Sequence, residues 1–170
     1  MKKLISTLVF SFISYIAFTQ ISPNLINSST LIIEGKIIEQ RCIENEKDDN
    51  IYTLNTIKIL KKFKGFTNSK IITLVTIGGK IENIEQTWSH GFSLSNEQEG
   101  IFFLNKDILI SSEFFVIANN REGFIRFVDY DDLCPKAYSE HFQGANIQNS
   151  VYEVLEDLTH NKLEIVELNK

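Results

Sequence analysis

The sequence predicts a mainly β domain: a small antiparallel barrel or sandwich of five to six strands, OB-like in outline, followed by one C-terminal helix. Three observations predict it. Runs rich in β-branched and aromatic residues recur along residues 31–130, separated by glycine and polar clusters. Several runs alternate apolar and polar residues with the strand period of two. After residue 150 the apolar period changes to that of a helix.

Each element follows from its residues. Leu31–Arg41 (LIIEGKIIEQR) is a β-branched run with Gly35 in its middle, and a glycine inside a strand marks a bulge or tight bend. Glu44–Asn50 is a charge-rich connection. In Ile51–Phe63, Tyr52, Leu54 and Thr56 alternate with Thr53, Asn55 and Ile57, and Lys58, Lys61 and Lys62 supply a wet face. Lys64-Gly65 begins a turn, Lys70–Ile77 is the third strand, and Gly78-Gly79 ends it before a polar connection reaching Ser93. Ile101–Leu104 is a short, fully apolar strand. Phe114–Ala118 and Gly123–Tyr130 read as a hairpin around Asn119–Glu122. Val151, Val154, Leu155 and Leu158 share one face of a helix spanning about residues 150–160, with Ser150 and Glu153 at capping-box spacing and Asn161 as its end.

The first nineteen residues read as an address. Lys2 and Lys3 precede an apolar run from Leu4 to Phe18, shorter than the roughly 20 residues of a spanning helix. Ala17 and Thr19 suit the small-residue positions of a signal peptidase, which places cleavage before Gln20; the competing reading is an uncleaved anchor. Residues 20–170 then form a single domain, with no membrane span after cleavage, secreted or held in the periplasm or at the cell surface. Losing Lys2 and Lys3 takes the formal charge from -5 to -7. That sign disfavours nucleic acid and anionic membranes as partners. Export also permits a Cys42–Cys134 disulfide. It would close a loop of about 90 residues, worth roughly 4–5 kcal/mol in the chain-entropy account.

Segments in residues 30–105 stand in an order similar to that of a known module. TLIIEGKII, IYTLNTIKILKKFKG, ITLVTIGG, SHGFSLS and GIFFL resemble the N-terminal β-barrel module of secreted and surface proteins of the Bacteroidetes kind. The order also bears a faint similarity to the OB-like barrels of netrin and metalloproteinase-inhibitor domains, although Gln20-Ile21-Ser22 lacks their N-terminal cysteine. The resemblance implies an exported barrel that accompanies binding or assembly at the cell exterior, with an extracellular or envelope protein as partner.

The residues themselves hold no catalytic constellation. Gly78-Gly79-Lys80 lacks the fuller phosphate-loop pattern, and no G-x-S-x-G elbow or H-E-x-x-H pair occurs. His90, His141 and His160 read as loop or surface residues. Asp129, Asp131 and Asp132 are weak candidates for a hard cation and read more simply as a solvated strand exit. Trp88, His90 and Phe92 lie in a polar connection, where an aromatic marks a binding patch or plugs the end of a barrel. The expectation is a non-catalytic binding module with those three residues as its surface and no cofactor. An inhibitor of an exported peptidase is the alternative.

Overall fold

The computed structural model describes residues 21–88, 93–108, 110–128 and 136–138, together with 152, 155, 156, 159, 164 and 165. The expected signal peptide (1–19) lies outside them. The fold is organised by one long hairpin. Strands β1 (Leu31–Asn45) and β2 (Asn50–Lys64) have 15 residues each, roughly 50 Å of extended chain. The polar connection between them tightens into a turn in which the amides of Asp48 and Asp49 both donate to the carbonyl of Asn45. A ribbon that long must coil to bury its apolar side. It does so through register shifts at Ile32/Ile33, Glu34/Gly35 and Ile37/Glu39. Gly35 is required at the second shift: a Cβ there would lie 2.5 Å from Ile57 Cγ2 and 3.1 Å from the carbonyl of Lys58.

The coil leaves the first half of β1 able to bond on both edges. Ile32–Lys36 pairs with β2, and Leu31–Lys36 pairs also with β6 (Glu99–Lys106), Leu31 opposite Leu104. Strand β3 (Ile71–Ile77) runs antiparallel to β2, and β7 (Phe115–Ile117) joins β3 to β6. Hydrogen bonding therefore passes in a ring through β1, β2, β3, β7, β6 and back to β1. Strands β8 (Phe124–Val128) and β9 (Lys136–Tyr138) extend the sheet from β6, and β10 (Glu164–Ile165) pairs with β2. A separate small hairpin is made by β4 (Gly79–Ile81) and β5 (Ile84–Gln86).

The mainly β expectation holds, and three details change. The sheet is mixed rather than antiparallel, because β3 and β7 run parallel through Leu74/Phe115 and Val75/Val116. The six expected strands are present as β1, β2, β3, β6, β7 and β8, and four more of two or three residues, β4, β5, β9 and β10, occur among the described residues. The expected hairpin of β7 and β8 is absent: both strands pair with β6, β7 along Leu104–Lys106 and β8 along Gly100–Phe102. Asn119, in left-handed conformation, and a 3₁₀ turn over Asn120–Gly123 carry the chain past Phe103 instead of reversing it. At the C-terminus, Tyr152, Leu155, Glu156 and Thr159 are helical, and the bounds of that helix lie outside the described residues.

Apolar side chains fill both faces of the sheet. Ile33, Ile37, Ile57, Ile59, Leu74, Phe102 and Leu104 pack inside the ring. Ile32, Phe63, Ile101 and Phe103 point to the opposite face, where helix α1 (Pro23–Ser28) lays Leu25 and Ile26 on them beside Leu155. Ile101–Leu104 is apolar throughout because alternate residues enter two different cores. A third cluster puts Tyr52, Leu54 and Val75 under Ile110 and Phe114.

Candidate binding cleft

The interior changes character along the hairpin. Past Ile37 and Ile57, the same face of the sheet carries Gln40 opposite Asn55 and Cys42 opposite Thr53, with Thr76 of β3 beyond Thr53. An uncharged polar strip thus continues an apolar interior. Its Gln40, Thr53 and Thr76 form the floor of a cleft of about 320 Å³ whose wall and rim include Gly79, Gln86, Trp88 and Leu94, with Asn55 buried behind them.

Local structure explains why the cleft stays open. β3 ends at Ile77, and Gly78 and Gly79 take φ of 98° and 146° as the chain leaves the sheet. A Cβ on Gly79 would sit 2.7 Å from both Cys42 Sγ and Thr53 Oγ1, so only glycine lets the backbone pass so close. Thr53 Oγ1 donates to the carbonyl of Gly78 at 2.7 Å. From β5, Gln86 accepts the Ile51 amide at 2.5 Å and donates to Asn50 Oδ1 at 2.9 Å. These bonds tie the small hairpin to the start of β2 and place Trp88, two residues on, at the cleft rim. Its side chain is half exposed.

Asn55 fixes the floor. It is fully buried, and its Nδ2 donates to the carbonyls of Thr53 and Leu74 and to Thr76 Oγ1 at 3.1–3.2 Å. Its Oδ1 accepts from Gln40 Nε2 at 2.6 Å, and the same nitrogen donates to the carbonyl of Leu94 at 3.0 Å. A buried amide satisfied this completely costs little and holds its neighbours rigidly. Both Gln40 N–H groups are engaged, which sets its amide orientation and leaves Oε1 as an acceptor. No described polar side-chain atom is buried without a partner, so that oxygen is open to solvent. Lys80 and Glu85, opposite one another in the β4–β5 register, are the charged residues of the rim.

Resolved pKa shifts lie away from this cleft. The Tyr52 hydroxyl, donating at 2.6 Å, holds the Asp48 carboxyl below its ordinary range, and the same bond raises the Tyr52 phenol. Lys36 is raised by its hydrogen bond and ion pair with Glu97. A second cleft, about 400 Å³, lies between the start of β3 and Phe114–Phe115, with exposed Phe66 and Ile71 at its edge.

Of the residues singled out in the sequence, Trp88 lies on the cleft, while His90 and Phe92 fall outside the described residues. Ser93 and Leu94, which resume the chain, also line it. Asp129, Asp131, Asp132, His141, His160 and Cys134 lie outside the described residues as well. Cys42 is half-buried, its Sγ 3.5 Å from Thr53 Oγ1, and carries no disulfide to another described residue. No group of three His, Cys, Asp or Glu side chains with metal-binding geometry occurs among the described residues, and no described helix is long and apolar enough to cross a membrane. Gln40, Thr53, Asn55 and Thr76 were not expected at a site. The one sequence signal for them is Asn55, an amide set in a strand of apolar and β-branched residues.

No protein-family model, curated protein or solved structure matches this chain.

Proposed function

We propose that this protein is an exported, non-catalytic binding module of the cell exterior. On this reading the hydrogen-bonded ring is a small OB-like barrel, residues 1–19 are removed as a signal peptide, and Cys42 and Cys134 form a bridge in the mature chain. Its binding surface is the cleft beneath Trp88, which engages an extracellular or envelope partner. The observation that carries the reading is a half-exposed tryptophan above a rigid, uncharged polar floor. A large aromatic left partly in water at a concave site is a recognition feature, since burying it against a partner gains apolar area at small entropic cost. The floor's donors are spent on internal bonds, as suits a surface that holds a ligand rather than transforms it.

The test is affinity capture with the mature chain from culture supernatant and envelope, with and without Trp88→Ala. The reading predicts one or more partners retained by the wild type and lost with the variant, whose circular dichroism is unchanged. Equal retention by both would remove the cleft from the binding surface.

A further inference from the structure

Resting on the binding reading above, we infer that the cleft takes a neutral saccharide, one or two sugar units at the end or along the length of a glycan. Three features of the site select that chemistry. The floor is uncharged: Gln40, Thr53 and Thr76 line it with an amide and two hydroxyls, and the charges of the lining, Lys80 and Glu85, stand opposite one another on the rim and cancel. Desolvating a charged group over such a floor would go uncompensated. A polyhydroxylated ring brings its own donors, which a neutral acceptor such as Gln40 Oε1 can take up in place of water.

The second feature is an indole and a fixed acceptor lining the same cleft. A pyranose has one face of C–H groups and an equatorial rim of hydroxyls. The C–H face carries partial positive charge and suits the negative π face of Trp88. The rim hydroxyls need acceptors held in place, and Gln40 Oε1 is held by two bonds from its own nitrogen, to Asn55 and Leu94. Asn55, fully buried, cannot shift without breaking its bonds to Leu74 and Thr76. The acceptor is therefore preorganised, which lowers the ordering cost of binding.

The third feature is size. A cleft of about 320 Å³ lies at the small end of ligand pockets. It suits one or two rings, with the remainder of a longer glycan outside along the rim.

Trp88 is the only tryptophan in the chain, so its emission reports this site alone. The mature chain is titrated with cellohexaose, maltohexaose, chitohexaose, xylohexaose and mannohexaose, with hexagalacturonate as the charged comparison and a neutral hexapeptide as the extended-chain comparison. At least one neutral hexasaccharide should move the emission to shorter wavelength at concentrations up to about 10 mM, a weak but specific range. Hexagalacturonate and the peptide should not. Gln40→Met should weaken that binding by about tenfold, the loss of one hydrogen bond. Because Gln40→Met also removes a partner of Asn55, Trp88→Ala provides the second variant. Saturation transfer from protein to saccharide should be lost in it, while its circular dichroism stays that of the wild type. The inference is overturned if no neutral saccharide moves the emission, or if the peptide does so and the saccharides do not. Affinity capture that remains Trp88-dependent in that case would leave the binding reading standing without its sugar.

Discussion

Tyr152→Phe should loosen the helical residues around Tyr152 and Leu155 from the sheet, and three side chains set by how much. Glu34 of β1 and Lys61 of β2 are directly opposite in register, on the face that also carries Ile32 and Phe63. Lys61 Nζ lies 3.0 and 3.2 Å from the two carboxylate oxygens of Glu34 and 2.7 Å from the Tyr152 hydroxyl, which donates in turn to Glu34. Glu34 is 3% exposed and Lys61 20%. A hydrogen bond to a charged group is worth about 1.5–3 kcal/mol. Tyr152→Phe deletes both bonds of the hydroxyl, the one it donates to Glu34 and the one it accepts from Lys61, but leaves the ion pair, and water reaches Lys61 in its place, so the expected cost is about 1.5–3 kcal/mol. Lys61→Met is harsher. It leaves a nearly inaccessible carboxylate with only the tyrosine, and breaking a buried pair this way costs about 3–5 kcal/mol. With urea slopes of about 1–3 kcal/mol per M, Tyr152→Phe should lower the midpoint by roughly 1 M and Lys61→Met by more. The double variant should fall short of the sum by about 0.5–3 kcal/mol, because the two residues share Glu34. If both single variants stay within about 0.5 kcal/mol of wild type, the range of ordinary surface changes, the three groups do not hold Tyr152 to the sheet.

Other consequences are equally direct. Gly35→Ala should destabilise by about 1–3 kcal/mol in the same urea assay, since its Cβ would meet the fully buried Ile57 and the Lys58 carbonyl; a neutral effect would mean that the bulge can relax. Carbon-detected NMR titration should place the Asp48 carboxyl below the ordinary aspartate range and return it upward in Tyr52→Phe. The depressed value makes the Asp48 contribution to stability present above the unfolded pKa and lost as pH falls through the folded one. The raised Tyr52 phenol works oppositely, its contribution present at neutral pH and lost on alkaline titration. An Asp48 titration that ignores Tyr52→Phe would contradict the assigned bond. Mature protein prepared without reductant should take up no thiol label until reduced and two labels afterwards; labelling before reduction would refute the Cys42–Cys134 bridge.

The fold was legible where one residue's neighbours decide its conformation. The β-branched runs at Leu31–Arg41, Ile51–Phe63 and Lys70–Ile77 became β1, β2 and β3, with ends within one residue of those expected except that β1 runs on to Asn45, and Gly35 marked a real register shift. Strand direction was not legible, because an alternation of apolar residues is the same whether the neighbour runs parallel or antiparallel; β3 and β7 meet across about forty residues of intervening chain. The Asn119–Glu122 segment carries turn residues, yet turn chemistry alone does not say whether the chain reverses or merely steps over one position of β6. Helix α1 has six residues, too few for a period to show. At the cleft, Trp88 stood out as an aromatic in a polar connection. Apart from Asn55, an amide in an apolar strand, the polar residues Gln40, Thr53 and Thr76 could not, because register alone brings together residues that are up to 36 positions apart.

The single tryptophan also gives the most direct test of the cleft as a binding surface. Mature chain labelled with 5-fluorotryptophan contains one fluorine, on Trp88, and is mixed with unlabelled envelope extract that contributes no fluorine signal. The account predicts one resonance that shifts or broadens as extract is added and recovers when excess unlabelled wild-type chain competes for the partner. A line that stays unchanged while the labelled chain is retained by the extract would place binding elsewhere on the molecule and contradict it.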